Sequence, residues 1–279
     1  MRTPTSTPGV RDADDVRAAL DRAGAVGVRA VVTIADDLAA ARWATQAAEW
    51  DDRVYAAVAL HPTRADALTD DARAELERLA AHPRVVAVGE TGMDLYWPGK
   101  LDGCAEPDAQ REAFAWHIDL AKRTGKPLMI HNRDADAAVL DVLAAEGAPD
   151  TVIFHCFSSD AQMARTCIEA GWLLSLAGTV SFKNAHALRE AARLIPGELL
   201  LVETDAPFLT PHPYRERPTS RIACRTRCAR WPRSVAAPPR SWRSKPPTTP
   251  SAHTGCVRVD LSKGIRYRLV IVSGLSRPF

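Results

Sequence analysis

The chain lacks any apolar run approaching the roughly 18 residues that a transmembrane helix needs, so no membrane span is expected. Its opening, MRTPTSTPGV, has no apolar core, and no secretory leader is expected there. Cysteine is scarce: six in 279 residues, irregularly spaced, which does not read as a disulfide framework and makes a reducing cytoplasm the expected setting. Nor does one sign of charge dominate, since the formal net charge is only +2. That balance conceals a sharp division. Residues 219–279 hold 13 Lys/Arg against one acid, Asp260, whereas the 218 residues before them hold 23 basic and 33 acidic groups. A block so basic usually marks a tail that binds nucleic acid.

What is present is enough to bury a large core. A length of 279 residues with 46% hydrophobic content suits one (β/α)8 barrel or two small domains. From Asp12 to about residue 210 the pattern alternates. Short β-rich runs fall at Ala30–Ile34, Val54–Leu60, Val85–Val88, Leu128–Ile130, Val152–Phe154, Trp172–Leu176 and Leu199–Val202. Segments of helical period separate them, several opening on capping residues such as Asp12, Thr69 and Ser159-Asp160. Strand runs spaced by helix-length segments imply βαβ units and a parallel sheet. The expected fold is therefore α/β, a TIM-type (β/α)8 barrel. It is incomplete at the first strand, because the place for an eighth strand, before Asp12, reads RTPTSTPG with two prolines. It is also incomplete at the C-terminal helix, because the Arg/Pro-rich tail shows no sustained period before the apolar YRLVIV.

In a parallel barrel the loops after the strands share one face, where reactive groups gather. The strand runs here close on His61-Pro62, on Glu90 with Asp94 after it, on His131-Asn132-Arg133, on His155 with Ser158 after it, and on Glu203-Thr204-Asp205. A lone histidine at a strand end is most often a satisfied loop residue, and a lone glutamate after glycine most often a helix start. Convergence of imidazoles and carboxylates on one face outweighs both. That mixture of nitrogen and oxygen donors is what Zn²⁺, Mn²⁺ and related cations accept.

The segments GETGMDLYW, PLMIHNRDAD, IFHCFSSD and LLVETDAPFLTPHPYR resemble the signature stretches of the TatD family, across about residues 12–217. The resemblance implies a TIM-like barrel that hydrolyses DNA phosphodiesters with two divalent metal ions, of the Mg, Mn or Zn kind. It implies that Glu90 is a carboxylate shared by both metals, that His131 and His155 are ligands of one and that Asp205 is a ligand of the other. Asp205 and Glu90 are then the expected catalytic residues, Asp205 handling the proton of an attacking water. His61 matches a recurrent active-site position, and Arg133 and Ser158 are candidates for substrate contact. DNA is the expected partner.

The chain departs from the family at both ends. The family's first strand carries His-x-His, and no histidine precedes His61 here. One metal site is therefore expected to be weakened. Joining the last base of each codon to the first two of the next permits His-Thr-His-Leu-Asp within Arg2–Pro8. Applied to Ser220–Val235, the same shift permits an amphipathic, acid-containing text in which Trp231, with its single codon, leads to Ala. The expected organisation is an atypical segment over 1–11, a hydrolase barrel over 12–218, and an out-of-frame, disordered tail over 219–279. On that reading the tail's arginines are not a selected nucleic-acid arm. The loose set Cys224, Cys228, His253 and Cys256 is likewise no zinc site. Two rival functions stand beside a DNA hydrolase: hydrolysis of another ester, such as aminoacyl-tRNA, and a catalytically impaired barrel remnant.

Overall fold

The structure, a computed structural model, describes residues 12–25, 27–206, 208–214 and 269–273. The expected atypical N-terminus and most of the expected out-of-frame tail lie outside the described residues, as do Cys224, Cys228, His253 and Cys256.

Seven strands follow the seven apolar runs: β1 (Ala30–Ile34), β2 (Val54–Val58), β3 (Val85–Asp94), β4 (Leu128–Arg133), β5 (Val152–Phe154), β6 (Leu173–Leu176) and β7 (Leu200–Thr204). Each pairs in parallel with the next. An eighth strand, β8 (Leu269–Ser273), lies parallel between β7 and β1 and closes the barrel. The place that the sequence leaves unfilled before Asp12 is thus occupied by the one apolar stretch of the tail.

Helices α1 (Ala13–Gly24), α2 (Leu38–Trp50), α3 (Asp70–Ala80), α4 (Pro107–Thr124), α5 (Asp136–Glu146), α6 (Ala161–Glu169) and α7 (His186–Leu194) alternate with the strands. Their starts follow from capping chemistry: the side chains of Asp12, Asp37, Thr69 and Asp160 accept backbone N–H groups of the first turns of α1, α2, α3 and α6. Ser159 instead donates to Asp136.

Alternation along each strand divides the core in two. Val31, Val54, Ala56, Leu128, Ile130, Phe154, Leu174 and Val202 pack outward against the helices. Val32, Ile34, Ala57, Ala87, Met129 and Ile153 form a separate inner cluster, joined by Tyr55, Leu173 and Leu201. The inner set fixes what comes next, because a period of two carries the same face past each strand end.

Candidate metal centre

Continued by steps of two, the inner face runs from Ile34 to Asp36, from Met129 to His131 and Arg133, from Ile153 to His155, and from Leu201 to Glu203 and Asp205, while His61 caps the short 3-10 turn that follows β2. On β3 the register against β4 shifts between Val88 and Thr91, which turns Glu90 rather than Gly89 toward the same interior. Two glycines make this close approach feasible. A Cβ on Gly89 would meet the Cβ of Met129 at 2.4 Å. A Cβ on Gly92, whose φ is +135°, would meet the carbonyl oxygen of His131 at 2.1 Å.

The centre is built around Glu90 Oε2. It lies 3.2 Å from His155 Nε2 and 3.6 Å from His131 Nδ1, and His155 Nε2 is in turn 3.7 Å from Asp205 Oδ1. Each histidine is held from behind by a buried carboxylate. His131 Nε2 meets Asp94 Oδ2 at 3.0 Å, and His155 Nδ1 meets Glu203 Oε1 at 3.0 Å. A carboxylate on one ring nitrogen sets the tautomer and aims the other nitrogen inward, as metal-binding imidazoles require. His61 completes the group. Its Nδ1 accepts the Thr63 backbone N–H, and its Nε2 is 3.2 Å from His131 Nδ1. His61, Asp94 and His131 each offer a ligand atom within 4.8 Å of the others.

The electrostatics follow from this crowding. Burial works against a charged Glu90, but the imidazoles of His155, His131 and His61 outweigh it and hold its pKa well below the ordinary carboxylate range. Burial, with His131 beside it, lowers His61 to about 4. Burial also opposes charge on His155 and His131. It is overcome by Glu203 and Glu90 in the first case and by Asp94 and Glu90 in the second, so both lie above the usual histidine value. Asp36 is raised, first by burial and then by its neighbours Asp37 and Glu90.

These donors suit a divalent cation. Two ligands each about 2.0–2.2 Å from a metal stand roughly 3–3.5 Å apart, close to the 3.2 and 3.6 Å that separate Glu90 Oε2 from the two histidines. Four carboxyl groups, of Glu90, Asp94, Glu203 and Asp205, face two chargeable imidazoles, an imbalance that a divalent cation would offset.

Of the residues singled out from sequence, Glu90, His131, His155, Asp205 and His61 are brought together. Arg133 turns to an aromatic pair, with its guanidinium carbon 3.9 Å from the centre of the Tyr96 ring and 5.1 Å from that of Trp97. Ser158 is exposed on the loop after β5, outside the buried cluster. Asp36, Asp94 and Glu203 join the cluster without a role expected from the sequence. Asp36 and Glu203 were reachable by extending the two-residue period, and Asp94 stands four residues after Glu90 on the extended β3.

A family model described as TatD-related DNase matches residues 9–228. The chain is 80% identical over 207 residues to a Mycobacterium tuberculosis protein named uncharacterized metal-dependent hydrolase TatD, covering 74% of this chain and 78% of that one. It is 33% identical over 220 residues to the Erwinia billingiae 3'-5' ssDNA/RNA exonuclease TatD, covering 78% and 81%. Among solved structures, that of the Escherichia coli TatD homologue YJJV superposes with a TM-score of 0.71 at 26% identity, covering 80% of this chain and 88% of that one.

Proposed function

Since this chain belongs to the TatD-related DNase family and is a metal-dependent hydrolase of the TatD type, we propose that it cleaves phosphodiester bonds of single-stranded DNA at the strand-end cluster. The observation that carries the reading is the pair of carboxylate-backed histidines, Asp94–His131 and Glu203–His155, both aimed at Glu90. The relative named as a single-stranded DNA and RNA exonuclease supports the choice of substrate.

Glu90, His131, His155 and Asp205 would hold two divalent cations of the Mg, Mn or Zn kind, Glu90 being shared. When bound, such cations acidify a water and stabilise charge on a scissile phosphate. Glu90, kept ionised by its imidazole neighbours, presents a fixed anion at the centre. Asp94 and Glu203 hold the two rings in place. Asp205 accepts the proton of the attacking water, because it is the most open of the four carboxylates: its side chain is 17% exposed, against 10% for Glu90 and 0% for Asp94 and Glu203. No histidine precedes His61 in this sequence, so the two cations would be held with unequal strength.

The test compares release of nucleotides from a 3′-ended single-stranded oligonucleotide with deacylation of a charged tRNA, both in Mn²⁺. Preferential cleavage of the oligonucleotide, abolished by Asp205→Asn, is the expected result. Preferential deacylation would refute the choice of substrate, and inactivity on both would leave a barrel remnant.

A further inference from the structure

The loop that leaves β3 carries a second cluster of chemistry, which the cation centre does not use. Tyr96 and Trp97 pack edge to face, with ring centres 5.0 Å apart, and both are only half-buried. Besides the Arg133 guanidinium, the Lys100 ammonium lies 3.8 Å from the centre of the Tyr96 ring. Two partly open aromatic rings with two cations beside them are an unusual load for a connecting loop.

The cluster is also held rigidly to the cation centre. Asp94 accepts from His131 through Oδ2, while its Oδ1 accepts the backbone N–H groups of Tyr96 and Trp97 at 3.0 and 3.1 Å. The buried Gln110 of α4 accepts from the Asp94 N–H and donates to the carbonyls of Asp94 and Ala105, so it clasps both ends of the loop. Arg133 stands two residues past His131 on the same strand, roughly 7 Å along it by strand rise.

Aromatic faces for bases beside cations for phosphates are what single-stranded nucleic acid needs, and a duplex keeps its bases stacked on each other. We propose that Trp97 stacks a base of single-stranded DNA next to the scissile phosphate, that Arg133 pairs with an adjacent phosphate, and that Tyr96 positions Arg133 and Lys100. This subsite rests on the nuclease reading above.

The test is equilibrium binding of a fluorescent single-stranded oligonucleotide, with chelator present so that nothing is cut, beside a copy whose 3′-terminal nucleotides are abasic. Stacking measured by alanine substitution implies that Trp97→Ala weakens the intact strand roughly 5- to 160-fold. The abasic strand should bind both proteins alike, and Trp97→Phe should restore most of the loss. Arg133→Ala should weaken both strands and reduce the salt dependence by about one counterion. The inference is overturned by an unaffected Trp97→Ala, by an equal loss on both strands, or by no binding to the wild type. A strand bound in this base-dependent way but never cut in Mn²⁺ would sink the nuclease reading and leave the subsite standing. Normal cutting with Trp97→Ala unimpaired would do the reverse.

Discussion

Replacing His117 by glutamine should remove a pH-dependent part of the barrel's stability. His117, on α4, is fully buried. Its Nδ1–H donates to the Ala113 carbonyl at 2.6 Å, and its Nε2 accepts the Leu60 N–H at 3.2 Å. Thr91 Oγ1 lies 3.2 Å from Nδ1. The neutral ring therefore ties α4 to the residues just before His61 and just after Glu90. Burial is the main reason its pKa falls from 6.5 to about 4. The sign follows from linkage: the folded value is depressed, so as pH falls below 6.5 the unfolded chain gains a proton that the folded chain refuses. Stability present above pH 6.5 is lost toward pH 4. At 1.36 kcal/mol per unit, the loss is about 2 kcal/mol by pH 5 and about 3 kcal/mol by pH 4. Glutamine can supply one donor and one acceptor but does not titrate. Chemical denaturation of both proteins in chelator, from pH 7.5 to 4, reads the difference directly. The titrations of His131 and His155 are common to the two proteins and cancel. A stability difference that stays flat across this range would refute the reasoning.

Further predictions concern the centre and the strand that carries it. Asp94→Asn and Glu203→Gln should each lower cation affinity about 10- to 100-fold without unfolding the barrel, as calorimetric titration with Mn²⁺ would show. An affinity unchanged in both would mean that the histidines need no carboxylate behind them. Gly92→Ala puts a methyl group 2.1 Å from the His131 carbonyl oxygen, at a φ of +135°. It should destabilise by about 4 kcal/mol or more, seen as a large drop in Tm or as insoluble expression. Gly125→Ala is the control: that glycine also has positive φ, but no atom lies near its Cβ position, so it should cost about 1–2 kcal/mol.

Much of the fold and of the site is legible in the sequence, for an identifiable reason. β1 and β5 coincide with their apolar runs, because those strands are buried on both faces and carry a single polar side chain between them, Thr33. The apolar run predicts β3 over Val85–Val88, but the strand runs on to Asp94, and the run that predicts β4 ends at Ile130, but the strand runs to Arg133. Their extensions consist of GETGMD and HNR, mostly polar residues and glycines that a search for apolar strands passes over although they pair with one another. The strand is longest where the site is densest, since a rigid ladder is what aims Glu90, Asp94 and His131. Closure by Leu269–Ser273 could not be read locally, because 64 residues lie between Thr204 and Leu269. The pairing of Asp94 with His131, and of Glu203 with His155, depends on which rings lie across the barrel. Spacing along the chain does not carry that information.

The most direct test of the central claim is cleavage of a 3′-ended single-stranded oligonucleotide by purified protein stripped with chelator and then titrated with Mn²⁺, run beside Glu90→Gln. The wild type should be inactive when stripped and recover in two steps of unequal affinity. Glu90→Gln should stay at least about a hundredfold slower at any Mn²⁺ concentration, since removal of the proposed bridging carboxylate would take away several kcal/mol of charge stabilisation. Cleavage that survives chelation, or a Glu90→Gln protein that recovers like the wild type, would contradict the claim that this cluster is the metal centre of the reaction.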